Sequence, residues 1–302
     1  MGTYLTVVGG GFAGIEAAWA SAQRGSQVRL VELRPVQQTP AHRTDMLAEL
    51  VCSNSFKSNL PTTPSGQLKV EMRALGSLML EVAAEHSVPA GEALAVDRDA
   101  FAAAITQRIQ AHPNITVERR EFVGDDVSRA LEKGPVILAT GPLTSPGLAQ
   151  WLSQTTGQDQ LHFYDAVSPT VDAATIDRSI AFAQSRYDKG GDDYLNCPFN
   201  KEEYEAFVTA LLASERASIH AFEGESEEDL VGKIKYFAGC TPIEAIAEKG
   251  ARSLAFGNFK PVGLTDPRTG RRPWAALQLR PENSEKTLYS LVACQTRLKW
   301  GE

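Results

Sequence analysis

The stretch that most restricts what this chain can fold into is Thr6–Ala20, TVVGGGFAGIEAAWA, close to its start. Leu5 to Val8 read as a short buried strand, and Ile15 to Ala22 as the body of a helix. Between them Gly9, Gly11 and Gly14 fall at the G-x-G-x-x-G spacing. That spacing serves a tight turn, close backbone approach to a pyrophosphate, and close helix–strand packing. The helix start behind the loop offers free N–H groups and positive partial charge to phosphates. A second strand, Val28 to Leu33, carries Glu32, 23 residues after Gly9 and 18 after Gly14, about where an acid meets a ribose hydroxyl in a dinucleotide site. Gly9, Gly10, Gly11, Phe12, Ala13, Gly14 and Glu32 are therefore the expected cofactor contacts. The competing reading is a Gly-rich turn that binds nothing.

The elements that follow suit such a half-domain. Arg34 to Asn59 reads as a long polar loop, and loops of that length in compact domains are usually functional or mobile. Gly66 to His86 reads as one amphipathic helix with Leu68, Met72, Leu75, Leu78, Met79 and Val82 on one side. Asp99 is the expected cap of a helix over Phe101 to Ala111. Ile115 to Arg119 reads as a strand, and the apolar run Pro135 to Leu138 ends on Ala139-Thr140-Gly141, a further candidate cofactor segment. The order predicts an α/β, Rossmann-type dinucleotide-binding domain over 1–150. From 151 to 302 the character changes, and a second, substrate domain is expected there. Asp177 to Asn200 reads as turn-rich, Asn200 and Glu203 as a capping box for a helix over Glu202 to Ser214, and Thr241 as N-cap of a helix with Pro242 at N1. Ser253 to Phe256, Trp274 to Leu279 and Leu288 to Thr296 read as strands.

Composition excludes some classes. In 302 residues, 43% are hydrophobic and 22% charged, as in ordinary soluble domains. No apolar run approaches the ~18 residues of a membrane span, so no membrane partner is expected. The chain leads directly into a strand, which predicts a cytoplasmic protein without a signal peptide. Cys52, Cys197, Cys240 and Cys294 include no C-x-x-C pair, so neither a zinc site nor a dithiol is indicated and no metal is expected. The net charge of −7 is uneven: residues 231–302 hold twelve Lys and Arg against six acids, the preceding part 18 against 31. Such asymmetry points either to an anionic partner at the basic end or to an ordinary solvated surface. Lys260, Arg268, Arg271 and Arg272 share one Pro/Gly-rich loop there and are the candidate contacts for such an anionic partner.

Two cysteines differ from the others. Cys240 directly precedes the expected N-cap at Thr241, where helix N–H groups favour thiolate. Cys52 has Lys57 five residues on and His42 and Arg43 about ten back, and a neighbouring cation would lower its pKa. The alternative for both is an inert buried thiol. Cys197, before a proline in a turn, and Cys294, in an apolar strand, read as structural.

Longer blocks then carry a family resemblance. VVGGGFAGIEAAW, AELVCSNSFKSN, VPAGEALAVDRDAF, ILATGPLTS, SRYDKG, YLNCP, FAGCTPIEAIAEKG, KPVGLTDPRTGRRP and QTRLKWGE closely resemble the bacterial folate- and FAD-dependent tRNA uracil-5-methyltransferases, the TrmFO family. The blocks run the length of the chain. The resemblance implies a Rossmann-type FAD-binding domain with an inserted α+β substrate domain and FAD on the glycine loop. It also implies tRNA as partner through a T-loop uridine, methylenetetrahydrofolate as one-carbon donor and NAD(P)H as reductant. It places thiol chemistry on Cys240 and Cys52: Cys240 as nucleophile at uracil carbon 6, Cys52 as general base beside the flavin, with the two roles exchangeable. Members of that family continue for well over a hundred residues past the L-K-W-G-E block with a second cofactor segment, so residues 1–302 alone are expected to hold FAD weakly and to be impaired in activity. Two other readings stay open: a flavin- or nicotinamide-dependent oxidoreductase that does not act on RNA, and a non-catalytic RNA-binding remnant.

Overall fold

A computed structural model describes residues 4–158, 168–188, 191–217 and 241–299. In chain order its elements are β1 (Tyr4–Val8), α1 (Phe12–Gln23), β2 (Gln27–Glu32), β3 (Ser55–Ser58), α2 (Pro64–Ala74), α3 (Leu78–Glu85), β4 (Ser87–Val88), β5 (Ala93–Val96), α4 (Arg98–Ala111), β6 (Ile115–Arg119), α5 (Gly124–Leu131), β7 (Val136–Leu138) and α6 (Pro146–Thr156). Then come β8 (Thr170–Asp172), β9 (Phe182–Ala183), β10 (Leu195–Phe199), α7 (Lys201–Ala213), α8 (Ile243–Ala247), α9 (Ser253–Phe256), β11 (Ala275–Pro281) and β12 (Leu288–Leu291). The chain forms two compact units, one of residues 1–51, 57–87 and 96–163, the other of 52–56, 88–95 and 164–302.

The first unit is α/β. Its sheet has the order β6-β2-β1-β7 with every pair parallel, so each connection must cross over, and helices supply the crossovers. β1 buries nearly its whole length, and β2 buries Val28, Leu30, Val31 and Glu32, as expected of strands covered on both faces. On one side Val8 and Val31 pack with Phe122, Val127, Ala130 and Leu148 from the α5–α6 region. This is the Rossmann-type arrangement, in which strand carboxyl ends gather along one edge.

The second unit is α+β. A five-stranded antiparallel sheet runs β8-β12-β11-β10-β9. Its principal core joins Tyr204, Val208 and Leu211 of α7 to Ile243, Leu254 and Phe259. Phe199 stacks on Phe259 at 6.4 Å, and the Tyr204 hydroxyl accepts the Ala255 N–H at 3.1 Å.

Several local expectations are corrected. The helix expected over Gly66 to His86 is two helices, because Gly76 takes a left-handed φ of +79° and Ser77 caps α3 by accepting the Leu80 N–H. Leu68 and Leu75 are consequently exposed, while α2 buries Lys69, whose Nζ donates to the carbonyls of Ser58 and Ser65. The cap of α4 is Asp97, not Asp99: its carboxylate accepts the Ala100 N–H at 3.1 Å. Ser253 to Phe256 is a helical turn with Leu254 in the core, since four residues are too few for alternation to tell strand from helix. The α8 cap is Pro242, which has no side-chain acceptor, so Thr241 does not serve as N-cap and the helix is only five residues long. Cys197 sits in β10 rather than in a turn, and Cys294 lies beyond the end of β12. The Asn200–Glu203 capping box forms as expected, with both reciprocal bonds at 2.8 Å.

Candidate dinucleotide site

β1 ends at Val8, and the chain turns through Gly9 at a φ of +107°, a backbone region that L side chains rarely adopt. A Cβ at Gly9 would meet the Ala139 carbonyl, and one at Gly14 the Gly9 carbonyl, so these two glycines serve the close strand–turn–helix packing. At Gly11 a Cβ would meet nothing within 4 Å. α1 begins directly after it at Phe12, and a helix N-terminus offers N–H groups and positive partial charge to an anion. Ala48 folds back on this turn, its N–H donating to the Gly10 carbonyl at 2.8 Å.

The turn borders a cavity of about 290 Å³. Gly9, Gly10, Gly11, Phe12, Ala13, Glu32, Ala139, Thr140 and Gly141 all line it. Of the expected contacts in this unit, Gly14 alone does not, acting instead behind the turn. Three strand ends thus converge: β1 through the glycines, β2 through Glu32, and β7 through Ala139–Gly141. Thr144 accompanies the last segment, its hydroxyl 2.6 Å from that of Thr140.

Glu32 is buried, and its carboxylate already holds three donors. Oε2 accepts the Gly10 N–H at 2.6 Å, and Oε1 accepts the Arg34 N–H at 3.1 Å and Arg34 Nε at 2.8 Å. A carboxylate offers about four acceptor positions, which leaves room for one hydroxyl donor. Burial would push this carboxyl up, but the Arg34 charge and the hydrogen bonds from Arg34 and Gly10 outweigh it and hold the group below its usual value. It is therefore a carboxylate at neutral pH, suited to accept from a ribose hydroxyl.

Sequence reasoning missed the network around it. Arg34 is almost fully buried, and its Nη1 reaches Glu49 at 2.8 Å and the Thr44 carbonyl at 3.1 Å. Glu49 in turn accepts the N–H groups of Arg43 and Thr44 and the Thr44 hydroxyl. The polar loop after β2 is thus folded around one ion-pair chain, Glu32–Arg34–Glu49. His42 lines the cavity with Nδ1 2.6 Å from the Thr39 hydroxyl. Burial and the Arg34 charge lower its pKa against the pull of Glu49 and Glu32, so it is neutral at pH 7 and is not the cation expected near Cys52. The spacing Glu32-x-Arg34 was the only local signal for this network.

The remaining candidates lie elsewhere. Cys52 is exposed. Cys240 lies outside the described residues, and the short α8 removes the N-cap argument for its thiolate. Cys294 is buried, which with the Glu244 charge pushes its thiol up to about 12, and burial likewise raises Cys197. Lys260, Arg268, Arg271 and Arg272 are all exposed, but Arg268 is engaged by Asp266 at 2.8 Å. No helix among the described residues is long and apolar enough to cross a membrane.

A glycine turn into a helix, an acid at the end of the next strand and a parallel sheet define a Rossmann-type dinucleotide-binding protein. The chain belongs to the glucose inhibited division protein A (GIDA) family, whose profile matches residues 4–302. It is 52% identical over 302 residues to the methylenetetrahydrofolate–tRNA-(uracil-5-)-methyltransferase TrmFO of Moorella thermoacetica, covering all of this chain and 66% of that one. It is 52% identical over 298 residues to the protein of the same name from an Exiguobacterium species, covering 99% of this chain and 65% of the relative. The Bacillus cereus protein of that name is 49% identical over 297 residues. The chain thus spans about two thirds of the length of these relatives.

Proposed function

We propose that the protein takes part in methylenetetrahydrofolate- and FAD-dependent methylation of uracil carbon 5 at a T-loop uridine of tRNA. The observation that carries this reading is identity of about half, along the whole chain, to relatives bearing that name. The cavity supports it, since its residues suit the ADP half of FAD. The glycine turn and the α1 N-terminus would hold the pyrophosphate, and Glu32 the adenosine ribose. Bound there, FAD would supply the hydride that completes the methyl group, with NAD(P)H as the source of electrons.

The protein's own groups would do the rest. Uracil carbon 5 is a weak nucleophile until a thiolate adds at carbon 6, and a base must later remove the carbon 5 proton. We assign Cys240 to the addition and Cys52 to the proton, in roles that an exchange test separates. Lys260, Arg271, Arg272 and, in part, Arg268 would meet RNA phosphates. The setting in which this occurs is the cytoplasm.

The test is a methylation assay with a tRNA transcript, FAD, methylenetetrahydrofolate and NADPH, reading 5-methyluridine by nucleoside analysis. Residues 1–302 are compared with the same chain extended by the C-terminal third of the Moorella relative. Methyluridine that requires folate and disappears in Cys240→Ala is the expected result. Its absence from both proteins, with FAD bound, would overturn the proposal. With a fluorouridine T-loop RNA, Cys240→Ala should abolish a gel-stable adduct while Cys52→Ala retains it, and the opposite pattern would exchange the roles.

A further inference from the structure

Cys52 begins a five-residue excursion of the chain, Cys52–Phe56, that belongs to the second unit. The two residues after it are held by one side chain, Arg280 on β11, more than two hundred residues away. Arg280 is buried, with 6% of its surface exposed. Its Nε donates to the Asn54 Oδ1 at 2.9 Å, and its Nη2 donates to the Ser53 hydroxyl at 3.0 Å. Asn54 is fully buried and returns a bond of its own, Nδ2 donating to the Pro281 carbonyl at 3.0 Å. The excursion is thus tied to neighbouring side-chain and backbone positions of one strand.

Tyr194 feels the charge of Arg280, and its hydroxyl donates to the Ala90 carbonyl at 2.8 Å. Ala90 belongs to Val88–Ala95, the other short excursion of this unit. Gly91 beside it donates its N–H to Asp193 at 2.7 Å. The guanidinium of Arg280 thus holds the first excursion at two points, while Tyr194 and Asp193, just before β10, hold the second. A planar fork of N–H donors can do the former, whereas the point charge of a lysine cannot reach several acceptors in fixed directions.

The consequence falls on the thiol. Consecutive Cα atoms are about 3.8 Å apart, so with both side-chain reaches and the 3.0 Å bond a cation held on the Ser53 hydroxyl stands no more than about 12 Å from the Cys52 sulfur. A thiol left on a loose loop would wander, while a general base must be held within hydrogen-bond reach of the proton it takes. We propose that Arg280 is the positioning residue of Cys52, clamping Ser53 and Asn54 to β11 and keeping a positive charge beside the thiol. This rests on the role assigned to Cys52 above.

The test uses the full chain and needs no turnover. Cys52 alkylation by iodoacetamide is followed against pH by peptide mass spectrometry, with Cys197 as internal reference, and backbone amide exchange of 52–56 is measured on the same proteins. Arg280→Gln should slow Cys52 alkylation about threefold near pH 7 by moving its pH profile upward, since a nearby cation favours thiolate. Cys197 should change less than twofold. Arg280→Lys keeps the charge without the fork, so it should retain the profile while amide exchange in 52–56 accelerates at least tenfold. A profile in folded Arg280→Gln that superimposes on wild type overturns the electrostatic half. Unchanged exchange in Arg280→Lys overturns the clamp, and that variant alone decides the matter if Arg280→Gln does not fold. Because both readouts are independent of methylation, an intact clamp with normal turnover in Cys52→Ala would refute the role of Cys52 and leave the clamp standing.

Discussion

The Glu32–Arg34–Glu49 chain makes a quantitative prediction. Arg34 exposes 2% of its side chain, Glu32 7% and Glu49 13%, so Arg34→Met would strand two carboxylates with little solvent to take them up. Removing one partner of a buried pair costs about 3–5 kcal/mol, because the survivor stays buried and unpaired. For a domain of this size that corresponds to a fall in Tm of roughly 6–20 °C. The cost depends on pH with a definite sign. In wild type the Glu32 carboxyl is held below its usual value, so its contribution is fully present above the unfolded pKa of about 4.3 and is lost as pH falls through the lower, folded pKa. Without Arg34, burial is no longer outweighed and the group shifts upward, which penalises the variant at neutral pH and not below about pH 4. Urea unfolding followed by tryptophan fluorescence at about pH 7.5 and about pH 4 measures the gap at both ends. The gap should narrow markedly at the acid end, and adding Glu32→Gln to Arg34→Met should recover part of it. A neutral-pH loss under about 1 kcal/mol, or a gap independent of pH, would refute this account of the network.

The other predictions concern separate parts of the chain. Gly14→Ala places a methyl group against the Gly9 carbonyl and should destabilise the protein by about 1–3 kcal/mol, read as a shift in the urea midpoint. Neutralising Arg268, Arg271 and Arg272 together should flatten the salt dependence of tRNA binding by about two phosphate contacts rather than three, since Asp266 already occupies Arg268. With the thiol of buried Cys294 pushed up to about 12, native protein at pH 8 should be alkylated at exposed Cys52 well before Cys294, an order that peptide mapping checks and that unfolding should erase.

What the sequence made legible was local. The G-x-G-x-x-G spacing after Val8 required a strand, a tight turn and a helix in succession, and β1, Gly9 and α1 follow it. The Asn200–Glu203 box was legible because both of its bonds lie within four residues. Short or irregular segments were not. Ser253–Phe256 is helical because Leu254 enters the core beside Tyr204, and Thr241 lost the cap because α8 begins only at Ile243. The polar machinery was hidden for a different reason. Arg34 finds Glu49 across fifteen residues, and Arg280 finds Asn54 across 226, so beyond the Glu32-x-Arg34 spacing no local pattern announces these contacts. Each becomes visible only when a buried guanidinium is asked where its N–H groups go.

The most direct test of the account is whether the glycine turn holds the ADP half of FAD. Gly11 has extended backbone and open space where a side chain would stand, so Gly11→Val should fold normally and fill the position expected for the pyrophosphate. FAD is titrated into the chain extended with the Moorella C-terminal third, in wild type and Gly11→Val, with ADP as competitor. One FAD per chain is expected, displaced by ADP, and at least a hundredfold weaker in Gly11→Val at an unchanged Tm, equivalent to about 2.8 kcal/mol. Equal affinity in wild type and variant, or FAD that ADP does not displace, would contradict the account.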